Sequence, residues 1–71
     1  MDFEIIIIRL NECLKESGYT AKTFAKRTGI SEYRVKRMLS GEKLPTARQL
    51  EVMIPLLKVS ADYVLGLSDE K

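Results

Sequence analysis

The stretch TAKTFAKRTGISEYRVKRMLSG, Thr20 to Gly41, predicts two short helices joined by a tight turn. Thr20 is a suitable N-cap for the first helix. Gly29 is expected to end that helix, because its cap requires a positive φ that glycine adopts without steric cost. Ser31 can then cap the second helix by accepting a hydrogen bond from an unpaired backbone N–H group. An ordinary αα-hairpin would show the same turn. The surface of the second helix must therefore decide whether the pair is such a hairpin or presents its second helix for binding.

The second helix, residues 32–39, divides into an apolar and a polar side. At about 100° per residue, Val35, Met38 and Leu39 occupy one arc of the helix. The opposite arc combines charged side chains with a phenol: Glu32, Tyr33, Lys36 and Arg37, with Arg34 at its border. A face that is merely solvated usually mixes its charges more evenly than three basic residues against one carboxylate. This pattern favours contact with a polyanion.

Basic residues are concentrated in the same part of the chain. The 71 residues include 12 Lys and Arg and 10 Asp and Glu, for a net charge of +2. Residues 21–48 contain eight basic and two acidic side chains, a net charge of +6, whereas the remaining residues carry −4. A domain polarised in this way has one pole suited to nucleic acid and another that favours solubility.

These residues resemble the helix-turn-helix domain shared by phage repressors, Cro proteins and the bacterial regulators grouped as XRE-like. The matching positions are Thr20, Phe24-Ala25, Gly29-Ile30-Ser31, Val35, Met38, Ser40-Gly41 and Pro45, and the segment VSADYVLG at 59–66 is similar to the family's closing helix. The resemblance covers about residues 8–66. It implies an all-α, lambda-repressor-like fold, a compact bundle of about five short helices with the helix-turn-helix at about 20–41 and the closing helix at about 61–66.

A chain of this length forms one domain, residues 1–71, and apolar spacing predicts its first helix at 1–17. The positions that recur at intervals of three and four residues are Ile6, Leu10, Cys13 and Leu14. The run Ile5–Ile8 complicates this prediction, because four consecutive β-branched residues form helices poorly and cannot all face one core. Either a partner chain covers an apolar rim or the helix follows a short extended start. We favour a helix with an apolar edge that ends at Gly18.

The second half of the chain contains two further helices. Thr46 is expected to cap a fourth helix that runs to about Leu57, with a kink or loosening at Pro55, which lacks an N–H donor. Ser60 is expected to cap a fifth helix at 61–65. Residues 68–71 are expected to fray.

The sequence departs from the family pattern at several positions. Relatives often carry an arginine and a glutamate at the positions of Leu14 and Leu39, so we expect these two leucines to touch. Lys58 stands where relatives usually have glycine. Ala21 replaces a glutamine that often binds a DNA phosphate, so either the N–H groups of the helix start or Lys22 must take over this contact.

The family resemblance implies sequence-specific binding of double-stranded DNA, with the helix at 32–39 in the major groove. We assign base reading to Glu32, Tyr33, Lys36 and Arg37, and phosphate binding to Ala21, Lys22, Arg34 and Lys43. Arg37 can donate two hydrogen bonds to O6 and N7 of guanine, Glu32 can accept from N4 of cytosine, and Tyr33 can contact a thymine methyl group. The expected role is transcriptional regulation, as a repressor of phage, prophage or bacterial type.

Other classes of function have little support. The chain has no histidine, one cysteine and no glycine-rich phosphate loop, so we expect no enzyme, metal site, cofactor or small-molecule ligand. No apolar run approaches the roughly 20 residues that span a bilayer, and no signal-peptide pattern is present, so a cytoplasmic location is expected. The single Cys13 excludes an internal disulfide.

The expected partners are double-stranded DNA and a second copy of the chain. Val64, Leu65 and Leu67 could form a homodimer contact or simply close the core. A homodimer would bind a near-palindromic operator. The alternative is a protein-binding module of the same fold, an antitoxin-like or antirepressor-binding adaptor with weak or no affinity for DNA.

Overall fold

Five α-helices make up the described part of the chain. The computed structural model describes residues 3–71, and no strand occurs among them. In chain order the helices are α1 (Phe3–Ser17), α2 (Ala21–Thr28), α3 (Glu32–Leu39), α4 (Ala47–Leu57) and α5 (Ala61–Val64). This architecture confirms the predicted all-α bundle, with α2 and α3 forming the predicted pair between residues 20 and 41.

The first helix directs its run of isoleucines in different directions. Ile6 is buried, whereas Ile8 is 57% exposed. A Cβ atom on Gly66 would lie 3.0 Å from Cγ2 of Ile5, and one on Gly41 would lie 3.1 Å from Cδ1 of Ile7, so two turns of the chain pack closely against these side chains. Residues 5–8 are helical, and the alternative of an extended start is therefore wrong for this run. The first two positions of the predicted helix, 1 and 2, lie outside the described residues.

Local hydrogen bonds fix the helix boundaries where the sequence predicts them. Thr20 and Thr46 each accept a bond from the N–H three residues later, in capping boxes completed by Thr23 and Gln49. Ser31 accepts from the N–H of Arg34. Since an N-cap side chain contributes about 1 kcal/mol, these short helices gain much of their definition from a few hydroxyl groups.

The fourth helix continues through Pro55 to Leu57, so the proline does not end the helix, and the predicted kink or loosening stays a prediction. Pro55 lies in the last turn, where the missing N–H removes a single backbone hydrogen bond and few residues follow. Lys58 comes directly after the helix with φ of 57°, in the left-handed conformation that glycine usually supplies. Its N–H donates to the carbonyl oxygen of Ile54 at 3.1 Å.

The C-terminal residues were predicted to fray, but they contact other parts of the domain. Nη1 of Arg9 in α1 donates to the carbonyl oxygen of Ser68 at 2.6 Å, and Nη2 donates to Asp69 at 2.9 Å. Nζ of Lys71 donates to Oε2 of Glu16 at 2.6 Å. The N–H of Ser60 donates to the carbonyl oxygen of Lys71 at 2.9 Å. Residues 68–71 are therefore held against α1, and α5 ends at Val64, one residue before the predicted end.

The core lies between α1 and the other helices. The predicted stripe of α1 is confirmed, since its members are all buried: Ile6, Leu10, Cys13 and Leu14. Leu14 and the half-buried Leu39 line the same small apolar cavity, but their direct contact stays a prediction. Val64 is fully buried in the core, whereas Leu67 is 72% exposed. Of these two residues, only Leu67 presents enough surface for a dimer contact.

Candidate nucleic-acid interface

Close packing of α2 against α3 sets the angle at which α3 is presented. Phe24 and Ala25 of α2 are buried together with Val35 and Met38 of α3. Gly29 ends α2 with φ of 78°, and its N–H donates to the carbonyl oxygen of Ala25 at 2.9 Å. The buried alanine leaves room for the two helices to approach. The apolar arc of α3 thus anchors the helix and turns its other side outward.

The outward side of α3 brings together all four predicted base-reading residues. Tyr33 is 68% exposed, Lys36 is exposed, and Glu32 and Arg37 are half-buried. Nζ of Lys36 lies 3.1 Å from Oε2 of Glu32, one helical turn earlier. Exposed ion pairs of this kind contribute only a few tenths of a kcal/mol, so either partner can be released at small cost.

Arg37 has two neighbours on this surface. Its Nε donates to Oε2 of Glu42 at 3.0 Å, and its guanidinium carbon lies 5.5 Å from the centre of the Tyr33 ring. The Arg37 side chain is 39% exposed to solvent. It is therefore neither turned into the core nor sealed off from solvent.

Glu42 was not among the residues predicted for this site. It lies between α3 and α4, directly after Gly41, which ends α3 with φ of 85°. The N–H of Glu42 donates to the carbonyl oxygen of Arg37 at 3.0 Å. The sequence does contain a signal for this contact, because the residue after a glycine cap regularly contacts the last turn of the helix.

An open cleft runs between the start of α3 and the exposed side of α2. Lys22 and Lys26 line it on α2, and Ser31 and Glu32 line it on α3. Lys22 is a predicted phosphate contact, whereas the sequence pattern predicts no role for Lys26. Their positions place two ammonium groups on the helix that precedes the exposed face of α3, consistent with the basic pole at residues 21–48.

The family comparison agrees with this arrangement. The Cro/C1-type HTH DNA-binding domain family matches residues 9–60, which include α2 and α3 entirely. The chain belongs to this family. No curated protein and no solved structure matches the chain. The predicted resemblance to the helix-turn-helix domain of phage repressors and Cro proteins is confirmed, and the chain is a DNA-binding regulator.

The phosphate-binding residues predicted for this Cro/C1-type domain lie at three places around α3. Ala21 and Lys22 form the start of α2, where Thr20 already takes the N–H of Thr23, so the N–H groups of the first two residues remain at the open end. Arg34 is exposed on α3 itself, and Lys43 is exposed in the segment after it. Their contacts with phosphate stay predictions.

Three properties of the described residues of this Cro/C1-type domain concern metal ions, the single thiol and membranes. No group of three or more His, Cys, Asp or Glu in residues 3–71 could hold a metal ion. Burial raises the pKa of the Cys13 thiol, which disfavours the thiolate needed for nucleophilic or metal chemistry. No helix over the same residues is long and apolar enough to cross a membrane.

Proposed function

We propose that this domain is a sequence-specific repressor of phage, prophage or bacterial type that reads the major groove of DNA with α3. The observation that carries the proposal is the division of α3 into two sides. Val35 and Met38 are buried, while Tyr33, Lys36 and part of Arg37 remain open to solvent. An α-helix fits the major groove, where base edges present distinct donors and acceptors.

Base reading rests on the chemistry of the exposed side of α3. Arg37 can donate two parallel hydrogen bonds to O6 and N7 of a guanine, and Tyr33 offers apolar contact to a thymine methyl group. Glu32 and Lys36 form an exposed ion pair in the free domain. When that pair opens, Glu32 can accept from N4 of a cytosine and Lys36 can donate to a base or a phosphate.

Phosphate binding positions the domain on the duplex. The N–H groups of Ala21 and Lys22 point out of the start of α2, where the helix dipole favours an anion. Arg34, on α3 itself, and Lys43, in the segment after it, are both exposed. Contacts of this kind carry little sequence information but set the register of the readers.

A homodimer on a near-palindromic operator is the proposed binding unit. Two copies related by a two-fold axis would place their α3 helices about 34 Å apart, one turn of DNA. Leu67 supports a contact near the C-terminal end because 72% of its surface is exposed. Buried Val64 closes the core instead.

A selection of bound sequences from random duplexes tests the proposal directly. The wild-type protein should enrich a defined motif, and two half-sites in inverted orientation would support the dimer. Affinity for an unselected duplex should fall steeply with salt, with a slope of about −0.9 per phosphate contact in a log–log plot. No enriched motif would contradict sequence-specific binding.

A protein-binding module remains the second candidate because of the exposed apolar side chains of α1. Phe3 and Ile8 each keep more than half of their surface exposed, and Phe3 borders an apolar groove with Leu44 and Leu50. In that case the salt series would give weak affinity for duplex DNA at every ionic strength, since a protein adaptor gains little from counterion release.

A further inference from the structure

The backbone at the end of α3 brings Glu42 next to Arg37. The N–H of Glu42 donates to the carbonyl oxygen of Arg37 at 3.0 Å, and the N–H of Gly41 donates to that of Met38 at 3.2 Å. Together with the φ of 85° at Gly41, these two bonds form a Schellman motif. In this motif the residue after the glycine regularly contacts the residue four positions before the glycine. That contact is usually apolar. Here it joins Arg37 to Glu42.

The same glycine is held in place from the other side. A Cβ atom at Gly41 would lie 3.1 Å from Cδ1 of Ile7 in α1. Both the backbone conformation and the space therefore favour glycine at this position. Consequently the path of the backbone into Glu42 is set by the packing of Gly41 against α1.

The ion pair engages one edge of the guanidinium group. Its hydrogen bond to Glu42 uses Nε, whereas reading guanine end-on requires the two terminal nitrogens. The ring of Tyr33 borders the same group, with the guanidinium carbon 5.5 Å from its centre. Thus the carboxylate and the ring restrict the rotation of Arg37 without occupying the nitrogens that would face a base.

We propose that Glu42 is a positioning residue that directs Arg37 towards a guanine and away from the DNA backbone. This inference rests on the proposed function, since it concerns the same surface. Glu42 reduces the conformational entropy that Arg37 would lose on binding. Its negative charge also weakens the attraction of Arg37 for phosphates, which compete with the base for the guanidinium group. Glu42 therefore raises the preference for the correct base pair and lowers the affinity for DNA of any sequence.

The test compares Glu42→Ala with Glu42→Gln on three duplexes. The first is the duplex that the wild-type protein selects from a random pool, the second has its guanine at the Arg37 position replaced, and the third is unselected. Both variants lose the charge, but glutamine keeps an oxygen that can accept from Nε. Thermal unfolding of each variant, followed by circular dichroism, establishes that the fold is intact.

We expect Glu42→Ala to bind the unselected duplex more tightly and to lose discrimination between the first two duplexes by roughly 1.4-fold to fivefold, the range that an exposed charge pair supplies. Glu42→Gln should retain part of that discrimination. In an Arg37→Ala background, Glu42→Ala should leave the discrimination unchanged, because the positioned group is gone.

Failure of this inference differs from failure of base reading by Arg37. If Arg37→Ala reduces discrimination but Glu42→Ala does not, Glu42 is not a positioning residue. Tighter binding of all three duplexes by the same factor would show that Glu42 only competes with DNA, and would also overturn the inference. If Arg37→Ala itself leaves the discrimination unchanged, Arg37 reads no base, and the proposed function fails at this residue.

Discussion

The guanidinium group of Arg9 lies over the ring of Tyr63, with 4.1 Å between its central carbon and the ring centre. Nη1 of the same arginine donates to the carbonyl oxygen of Ser68 at 2.6 Å. One side chain of α1 therefore holds both α5 and the C-terminal residues, 54 or more positions away in sequence. None of the residues that Arg9 contacts here is a proposed DNA contact.

Replacing Arg9 by alanine should destabilise the domain. Its side chain is only 18% exposed, and it supplies hydrogen bonds from a charged donor to two carbonyl oxygens and a carboxylate. A hydrogen bond with a charged donor contributes about 1.5–3 kcal/mol. Because Asp69 is fully exposed and the two carbonyl oxygens share Nη1, we count the three contacts as about one such bond and expect a loss of about 2 kcal/mol. Urea denaturation measures it. Lys15→Ala, an exposed position on the same helix, is the control and should change stability by less than about 0.5 kcal/mol.

Acid should weaken the contact between α1 and α5. The hydrogen bond from the Tyr63 hydroxyl, followed by that from Lys71, lowers the pKa of Glu12 from its ordinary value of 4.5. A carboxyl group with a lowered pKa stabilises the fold above its unfolded-state pKa and loses this contribution as pH falls through the folded-state value. Urea midpoints measured from pH 7 downwards should fall less steeply in Tyr63→Phe than in the wild type. Parallel curves would show that this hydrogen bond does not cause the shift.

Lys58→Gly should stabilise the domain. Lys58 has φ of 57°, which costs a residue with a Cβ atom about 1 kcal/mol relative to glycine. Removing that strain should raise the melting temperature by roughly 4–8 °C for a domain of this size. Lys58→Ala is the matched control, since it removes the charge but keeps the Cβ atom. An equal gain in both variants would attribute the effect to charge rather than to backbone conformation.

Leu39→Glu should destabilise the domain strongly. Leu39 is half-buried and lines the same apolar cavity as Leu14, so a carboxylate there would lack a partner. The expected loss is about 3 kcal/mol. Adding Leu14→Arg should recover part of it by supplying a positive partner for the new carboxylate. A melting temperature equal to that of the wild type in the single variant would contradict the predicted contact between these leucines.

Local features made much of the fold predictable, whereas distant contacts did not. Thr20, Gly29 and Ser31 act through hydrogen bonds to residues within four positions, so the sequence alone located the ends of α2 and α3. The position of residues 68–71 depends on Arg9, about 60 residues earlier, and no local pattern indicates that pairing. The continuation of α4 through Pro55 depends on how near the proline lies to the end of the helix.

The candidate site was predictable as a surface but not as a set of interactions. Helical periodicity placed Tyr33, Lys36 and Arg37 on the exposed side of α3. It could not indicate that Glu42 returns to Arg37, because that contact depends on the turn at Gly41 rather than on helical spacing. The roles of these side chains towards DNA stay predictions.

The central claim is that α3 reads base pairs through Arg37. Its most direct test measures the binding of wild type, Arg37→Ala and Lys43→Ala to the selected duplex and to the same duplex with the guanine replaced. Arg37→Ala should lose about 1–3 kcal/mol on the selected duplex and bind both duplexes almost equally. Lys43→Ala should weaken both duplexes alike and reduce the salt slope by about one. An Arg37→Ala variant that loses the same affinity for both duplexes would contradict the claim.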